Sequence, residues 1–166
     1  MTGLEVAVNG STLQVFVVDA RADRIQSFEM SLAAVGGCIM AGAGTTNGTG
    51  LGDLIIGNTS NQVLSGGAGD DWLRDGGGAD TLSGGSGADV FVLDASTLQG
   101  KVTDYEKHID RIDLSDWGNV YSAAALTITS SSSGATVSFG SHQVQLTTVD
   151  GHSLTAADFA NADFLF

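Results

Sequence analysis

The sequence has no proline, a single cysteine, few aromatics and few basic residues, and each shortage closes off a class of protein. Because Cys38 stands alone, no disulfide can form within the chain, and a disulfide-stapled scaffold is excluded. Its neighbours Val35, Gly36, Gly37, Ile39 and Met40 are apolar or small, which predicts a buried and unreactive thiol. Six Lys and Arg against nineteen Asp and Glu give a net charge of −13, the wrong sign for nucleic acid. No apolar run is long enough for a membrane span. Residues Met1 to Glu5 carry no basic region, and Asn9-Gly10 interrupts the apolar stretch behind them, so no Sec leader is expected. His108, His142 and His152 share no ligand spacing, which argues against zinc. There is no His-Glu-x-x-His and no phosphate loop, and Gly84-Gly85-Ser86-Gly87-Ala88 misses the last glycine of a nucleophile elbow. The chain is expected to catalyse nothing.

What is abundant is glycine, twenty-four residues of it, together with aspartate at sixteen residues against three glutamates. Linkers and disordered tails usually carry Pro with their Gly, and 42% hydrophobic residues suffice for a packed interior. Such a chain is ordered, with many special backbone positions. A short carboxylate can turn back on its own loop to hold backbone or metal, so the preference for Asp points to loops that bind cations.

Alternation through Leu4 to Val8, an Asn9-Gly10 turn signal, a second run from Leu13 to Val18 and a third from Ile25 to Leu32 predict a β-meander. From Gly48 the chain falls into five rows of nine: GTGLGDLII, GNTSNQVLS, GGAGDDWLR, DGGGADTLS and GGSGADVFV. The eighth column, Ile55, Leu64, Leu73, Leu82 and Phe91, is apolar throughout, and the sixth is Asp53, Gln62, Asp71, Asp80 and Asp89. A linker would not hold an apolar residue at every ninth position. Nine residues accommodate one tight turn and one three-residue strand. Glycines at the first, second and fourth positions, among them Gly66, Gly69, Gly76, Gly78, Gly84 and Gly87, permit positive φ and let carbonyl oxygens face a shared cavity. Aspartates 53, 71, 80 and 89 add carboxylate oxygen, and Ca²⁺ accepts six to eight such oxygens at flexible angles where Mg²⁺ does not. The eighth residue points into the middle, and Trp72, in the seventh column, points out. Asp104, Asp110, Asp113 and Asp116 lack a glycine turn and are expected to be solvated or capping carboxylates.

After Leu93 the period stops. An acidic connector leads to strands near Leu126 to Thr129, Ala135 to Phe139 and Gln143 to Thr147, then a short helix over Thr155 to Ala160 in which Thr155 and Asp158 have capping-box spacing.

The third and fifth rows resemble the RTX, or hemolysin-type, calcium-binding nonapeptide G-G-x-G-x-D-x-U-x at every defined position, and the fourth departs only at Asp75. Val102-Thr103-Asp104-Tyr105 and Ile109 to Ser115 are similar to the region behind the repeats in serralysin-type secreted proteases, with Tyr105 and His108 standing where Phe and Gly are usual. The resemblance implies an all-β chain built on a right-handed parallel β-roll, flanked by the N-terminal meander and a C-terminal antiparallel segment. It implies Ca²⁺-dependent folding and secretion from a Gram-negative bacterium by a type I apparatus reading the C-terminal tail. The expected divisions are an N-terminal β cap at 1–47, the calcium-binding roll at 48–93, a C-terminal β region at 94–152 and the secretion signal at 153–166. If each nonapeptide is half a turn, as in the family, Asp53, Asp71 and Asp89 align on one edge and Gln62, Asp80 and Leu98 on the other. Two further readings stay open: an adhesive or surface-layer protein with the roll as spacer, and the C-terminal part of a secreted hydrolase such as a metalloprotease.

Overall fold

The structure, a computed structural model, describes residues 3–9, 12–19, 24–31, 35–95 and 99–166, with side chains from Gly37 onward. It divides into two units, Met1–Gly36 and Gly37–Phe166. In the first, β1 (Gly3–Asn9), β2 (Thr12–Asp19) and β3 (Arg24–Ser31) form an antiparallel sheet in chain order, with Asn9 opposite Thr12 and Thr12 opposite Ser31. This is the meander that the alternation predicts; Leu32 lies outside the described residues.

The second unit begins within β4 (Val35–Met40), goes on to β5 (Gly44–Asn47) and continues through the nonapeptide rows as β6 (Gly52–Ile56), β7 (Gln62–Ala68), β8 (Trp72–Arg74), β9 (Thr81–Ser86) and β10 (Val90–Val92). Beyond them lie β11 (Gly100–Tyr105), β12 (Arg111–Asp113), β13 (Thr127–Ser131), β14 (Gly134–Phe139), β15 (His142–Thr148) and β16 (Phe164–Leu165). Successive rows alternate between two sheets, because each row is too short to do more than turn once and cross once. One sheet has the order β16-β12-β10-β8-β6-β4 and the other β13-β14-β15-β11-β9-β7-β5. Leu54 pairs with Trp72 and Trp72 with Val90, while Val63 pairs with Thr81, all parallel, so a residue's neighbour in the sheet is eighteen positions away. One nonapeptide is half a turn, and the repeats form a parallel β-roll.

Both inner faces are apolar ladders. Ile55, Leu73, Phe91, Ile112 and Phe164 stack along one sheet, and Leu64, Leu82, Val102, Leu146 and Ala135 along the other. The five eighth-column residues have no exposed surface. Each buried Leu, Ile or Phe is worth about 1.5–3 kcal/mol of transfer free energy, so this seam is the main favourable term for the roll.

The hydrogen-bonded ladder does not stop at the rows. Gly44–Asn47 pairs with Gln62–Ser65 ahead of Gly48, and behind Leu93 β11, β12 and β16 add parallel rungs. The divisions drawn at 47/48 and 93/94 mark changes of composition, and no break in backbone pairing coincides with them. The C-terminal strands appear as β13 to β15, antiparallel among themselves and joined to β11. The expected helix at 155–160 is a single 3₁₀ turn, Ala156–Asp158, in which Thr155 N–H and Oγ1 donate to Asp158 Oδ2 at 2.8 and 2.7 Å.

Cys38 is exposed, not buried. Strand periodicity decides this: Ile39 turns inward against the core, which directs Cys38 and Met40 to solvent whatever the hydrophobicity of the segment. Trp72 faces outward beside Leu54, 44% exposed.

Candidate metal centre

The turns between the strands line the two edges of the roll, and the eighteen-residue register stacks the sixth-position residues. Asp53, Asp71 and Asp89 share one edge, and Asp71 and Asp89 each accept a hydrogen bond from the rung before. Asp71 Oδ1 accepts from Asp53 N–H at 2.7 Å, and Asp89 Oδ1 from Asp71 N–H at 2.8 Å. On the other edge Asp80 Oδ1 accepts from Gln62 N–H at 2.6 Å. All four aspartates are at most 3% exposed.

These bonds use one oxygen of each of Asp71, Asp80 and Asp89 and leave the other, Oδ2, buried without a partner; Asp53 Oδ1 is likewise unpartnered. A buried, unpaired carboxylate oxygen costs several kcal/mol unless a proton or cation meets it. Burial pushes Asp71 and Asp80 up to about 6 and raises Asp89 as well, with neighbouring carboxylates adding to the rise in each. The backbone bonds from Asp53, Gln62 and Asp71 act in the opposite sense and are outweighed.

Glycine makes room for this arrangement in two ways. At the first position the absence of a side chain matters: a Cβ on Gly66 would lie 2.1 Å from Asp71 Oδ2, and one on Gly84 2.0 Å from Asp89 Oδ2. At the fourth position Gly69, Gly78 and Gly87 have φ of 105°, 111° and 136°, and in the second position of the fourth row Gly76 has 75°. Gly66 and Gly84 do not adopt positive φ, so the expectation of it at the first position is corrected: there the constraint is close approach.

Among the described residues no three His, Cys, Asp or Glu side chains converge as a metal cluster. A cation on these edges would therefore draw its ligands from backbone carbonyls and one carboxylate per turn, and the hard-oxygen set suits Ca²⁺. The unpartnered oxygens and the glycine cradles fit that ion. When bound, it supplies the positive charge that lets buried aspartates remain ionised.

Sequence reasoning missed one rung on each edge. Lysine 101 pairs with Thr81, so Gly100 follows Asp80 on its edge; Leu98, expected there, lies outside the described residues. On the opposite edge Asp110 follows Asp89, with Oδ1 accepting from Asp89 N–H at 3.0 Å and Oδ2 from Glu106 N–H at 2.8 Å. With both oxygens engaged, Asp110 caps the column. The signal was present: Asp110-Arg111-Ile112 keeps the Asp-x-apolar triplet of the rows, but at a spacing of twenty-one. Asp104 caps the last glycine turn, accepting from Ser83 Oγ at 2.6 Å, Gly84 N–H at 3.0 Å and Gly85 N–H at 2.9 Å. Asp113 accepts from Ser115 N–H at 2.9 Å, and Asp116 pairs with Arg74. His108 occupies the fourth-position slot with φ of 63°, the left-handed region that glycine fills in the rows, and its Nδ1 lies 3.1 Å from Asp163 Oδ1. His142 stacks on Trp117 and His152 pairs with Asp150, so the three histidines are in separate places. Fifth-position side chains also bridge rungs, Asp70 Oδ1 accepting from Ala88 N–H and Asn61 Oδ1 from Ala79 N–H.

Comparison with known proteins bears on the repeat rows. The family model for the RTX calcium-binding nonapeptide repeat matches residues 48–91. Among solved structures, the AlgE6R3 subunit from the Azotobacter vinelandii mannuronan C5-epimerase is similar over 80% of this chain and 78% of its own. Its identity is 24% and its TM-score 0.44. A search of the curated proteins found no match. Residues 48–91 thus match the RTX calcium-binding nonapeptide repeat and fold as a parallel β-roll in which Asp53, Asp71, Asp80 and Asp89 each keep one buried oxygen without a protein partner.

Proposed function

We propose that the chain is the calcium-binding folding module of a secreted bacterial protein, exported by a type I apparatus and folding when it meets Ca²⁺ outside the cell. The observation that carries this reading is the column of buried aspartates, each with one oxygen that no protein group satisfies. Without a cation the column repels itself and its desolvation is uncompensated, so metal binding supplies folding free energy. Affinity in the range of extracellular modules, roughly 10⁻⁴ to 10⁻³ M, keeps the roll open in a low-calcium cytosol and closes it outside. The tail assigned to export, residues 153–166, contains β16, which pairs with β12. An apparatus reading this tail would have to engage it before the roll closes, which accords with folding withheld until export. The chain is proposed to have no catalytic role of its own.

Circular dichroism of the full chain in chelator and after calcium titration tests the folding half. A large gain in β signal with calcium, reversed by chelator, is the expected result; full signal and an unchanged melting temperature in chelator would refute it. For the export half, secretion of a chain lacking Thr155 to Phe166 at normal levels would refute the tail's role.

A further inference from the structure

Gln62 occupies the sixth position of the second row, where the other four rows have aspartate. Its side chain is 3% exposed and fully engaged. Oε1 accepts from Asn58 N–H at 2.7 Å, as Asp53 Oδ2 accepts from Thr49 N–H at 2.6 Å four residues ahead of it. The second atom differs. Asp53 leaves Oδ1 unpartnered, whereas Gln62 presents an amide nitrogen, and Nε2 donates to the carbonyl of Gly42 in the preceding turn of the same edge. The partners fix the amide's orientation, since a backbone carbonyl can only accept and an N–H only donate. Asn58 adds a second donor of the same kind, its Nδ2 reaching the adjacent carbonyl of Ala41 at 3.0 Å, while its Oδ1 accepts from Ser60 N–H at 2.9 Å. Two consecutive backbone carbonyls at the head of this edge are thus met by side-chain N–H groups.

A calcium site consists of acceptors facing one point. A donor hydrogen placed among them both satisfies the carbonyls and repels the ion. We infer that Gln62 closes the first turn of its edge without metal, its amide nitrogen standing where a cation would otherwise bridge the side chain and the Gly42 carbonyl. This deepens the calcium reading and rests on it: the roll begins with a rung that is complete before calcium arrives, next to rungs that are not.

The test replaces the donor and counts calcium bound per full-length chain at saturation, by calorimetric titration. Gln62→Glu is nearly isosteric; it keeps an acceptor for Asn58 N–H and turns the donor into a second acceptor opposite Gly42. It should bind one more calcium ion per chain than the wild type. Gln62→Met removes both polar atoms and should bind the same number as the wild type. An unchanged count in Gln62→Glu, or a count one lower in Gln62→Met, would overturn the inference, the latter by showing Gln62 to be a ligand. Should Gln62→Glu fail to fold, the Gln62→Met count decides alone. A wild type that takes up no calcium would bring down the calcium reading itself, whereas these outcomes in a calcium-binding wild type overturn only the role given to Gln62.

Discussion

A single aspartate in this roll is held by two opposed demands. Its Oδ1 is needed by the backbone N–H one rung back, which favours the charged form, while burial of Oδ2 favours the neutral one, and burial wins in Asp71, Asp80 and Asp89. Folded values near 6, above an unfolded 3.8, mean that the calcium-free roll binds protons more tightly than the open chain does. The sign follows from linkage: this contribution to stability is fully present below pH 3.8 and is lost as pH rises through about 6. In chelator the β signal should therefore be greater at pH 5 than at pH 7.5, as a proton partly stands in for the ion. Calcium affinity should move the other way, weakening below about pH 6, since ion and proton compete for the same oxygens. Circular dichroism and calcium titration across pH 4.5 to 8 check both, and a calcium-free β signal that grows with pH would contradict the account.

At the scale of a row, the two edges are unequal. Among the described residues, three unpartnered carboxylate oxygens lie on the Asp53/Asp71/Asp89 edge and one, from Asp80, on the other, where Gln62 and Gly100 flank it. Asp71 stands between Asp53 and Asp89, and its Oδ1 holds Asp53 N–H, so its loss removes the middle carboxylate of this edge and frees a buried N–H. Asp71→Ala should lower the calcium-saturated melting temperature and the calcium affinity more than Asp80→Ala does; equal effects would show that the edges contribute alike. The alignment behind this inequality was legible in the sequence once the nine-residue period was joined to the half-turn that the family resemblance implies. The continuation of the ladder was not. Any extended segment can offer backbone N–H and C=O groups to an open strand, so Gly44–Asn47 and Arg111–Asp113 join without carrying the period. Spacings of twenty and twenty-one hid Gly100 and Asp110 from a column count. For Cys38 the hydrophobic neighbourhood was misleading, since the alternation of the strand and not its average hydropathy decides which side chain turns in.

For the whole roll, the pairing of each residue with the one eighteen positions on acts as a reading frame. Excising Gly66 to Ser83 removes two rows and one complete circuit. Asp53 would then meet Asp89, Leu54 would meet Val90, and everything downstream would keep its sheet. Excising only Gly66 to Arg74 is a smaller lesion by count but a frameshift in space. The remaining rows change edges, Asp80 falls in line with Asp53, and the caps built from Asp104 and Asp110 arrive on the wrong side. The larger deletion should still fold with calcium, one circuit shorter, and the smaller should not, as read by circular dichroism and calcium uptake; the reverse order would contradict the half-turn register. Length changes in such a chain are quantised in pairs of rows, so repeats of this kind can be gained or lost without damage only two at a time.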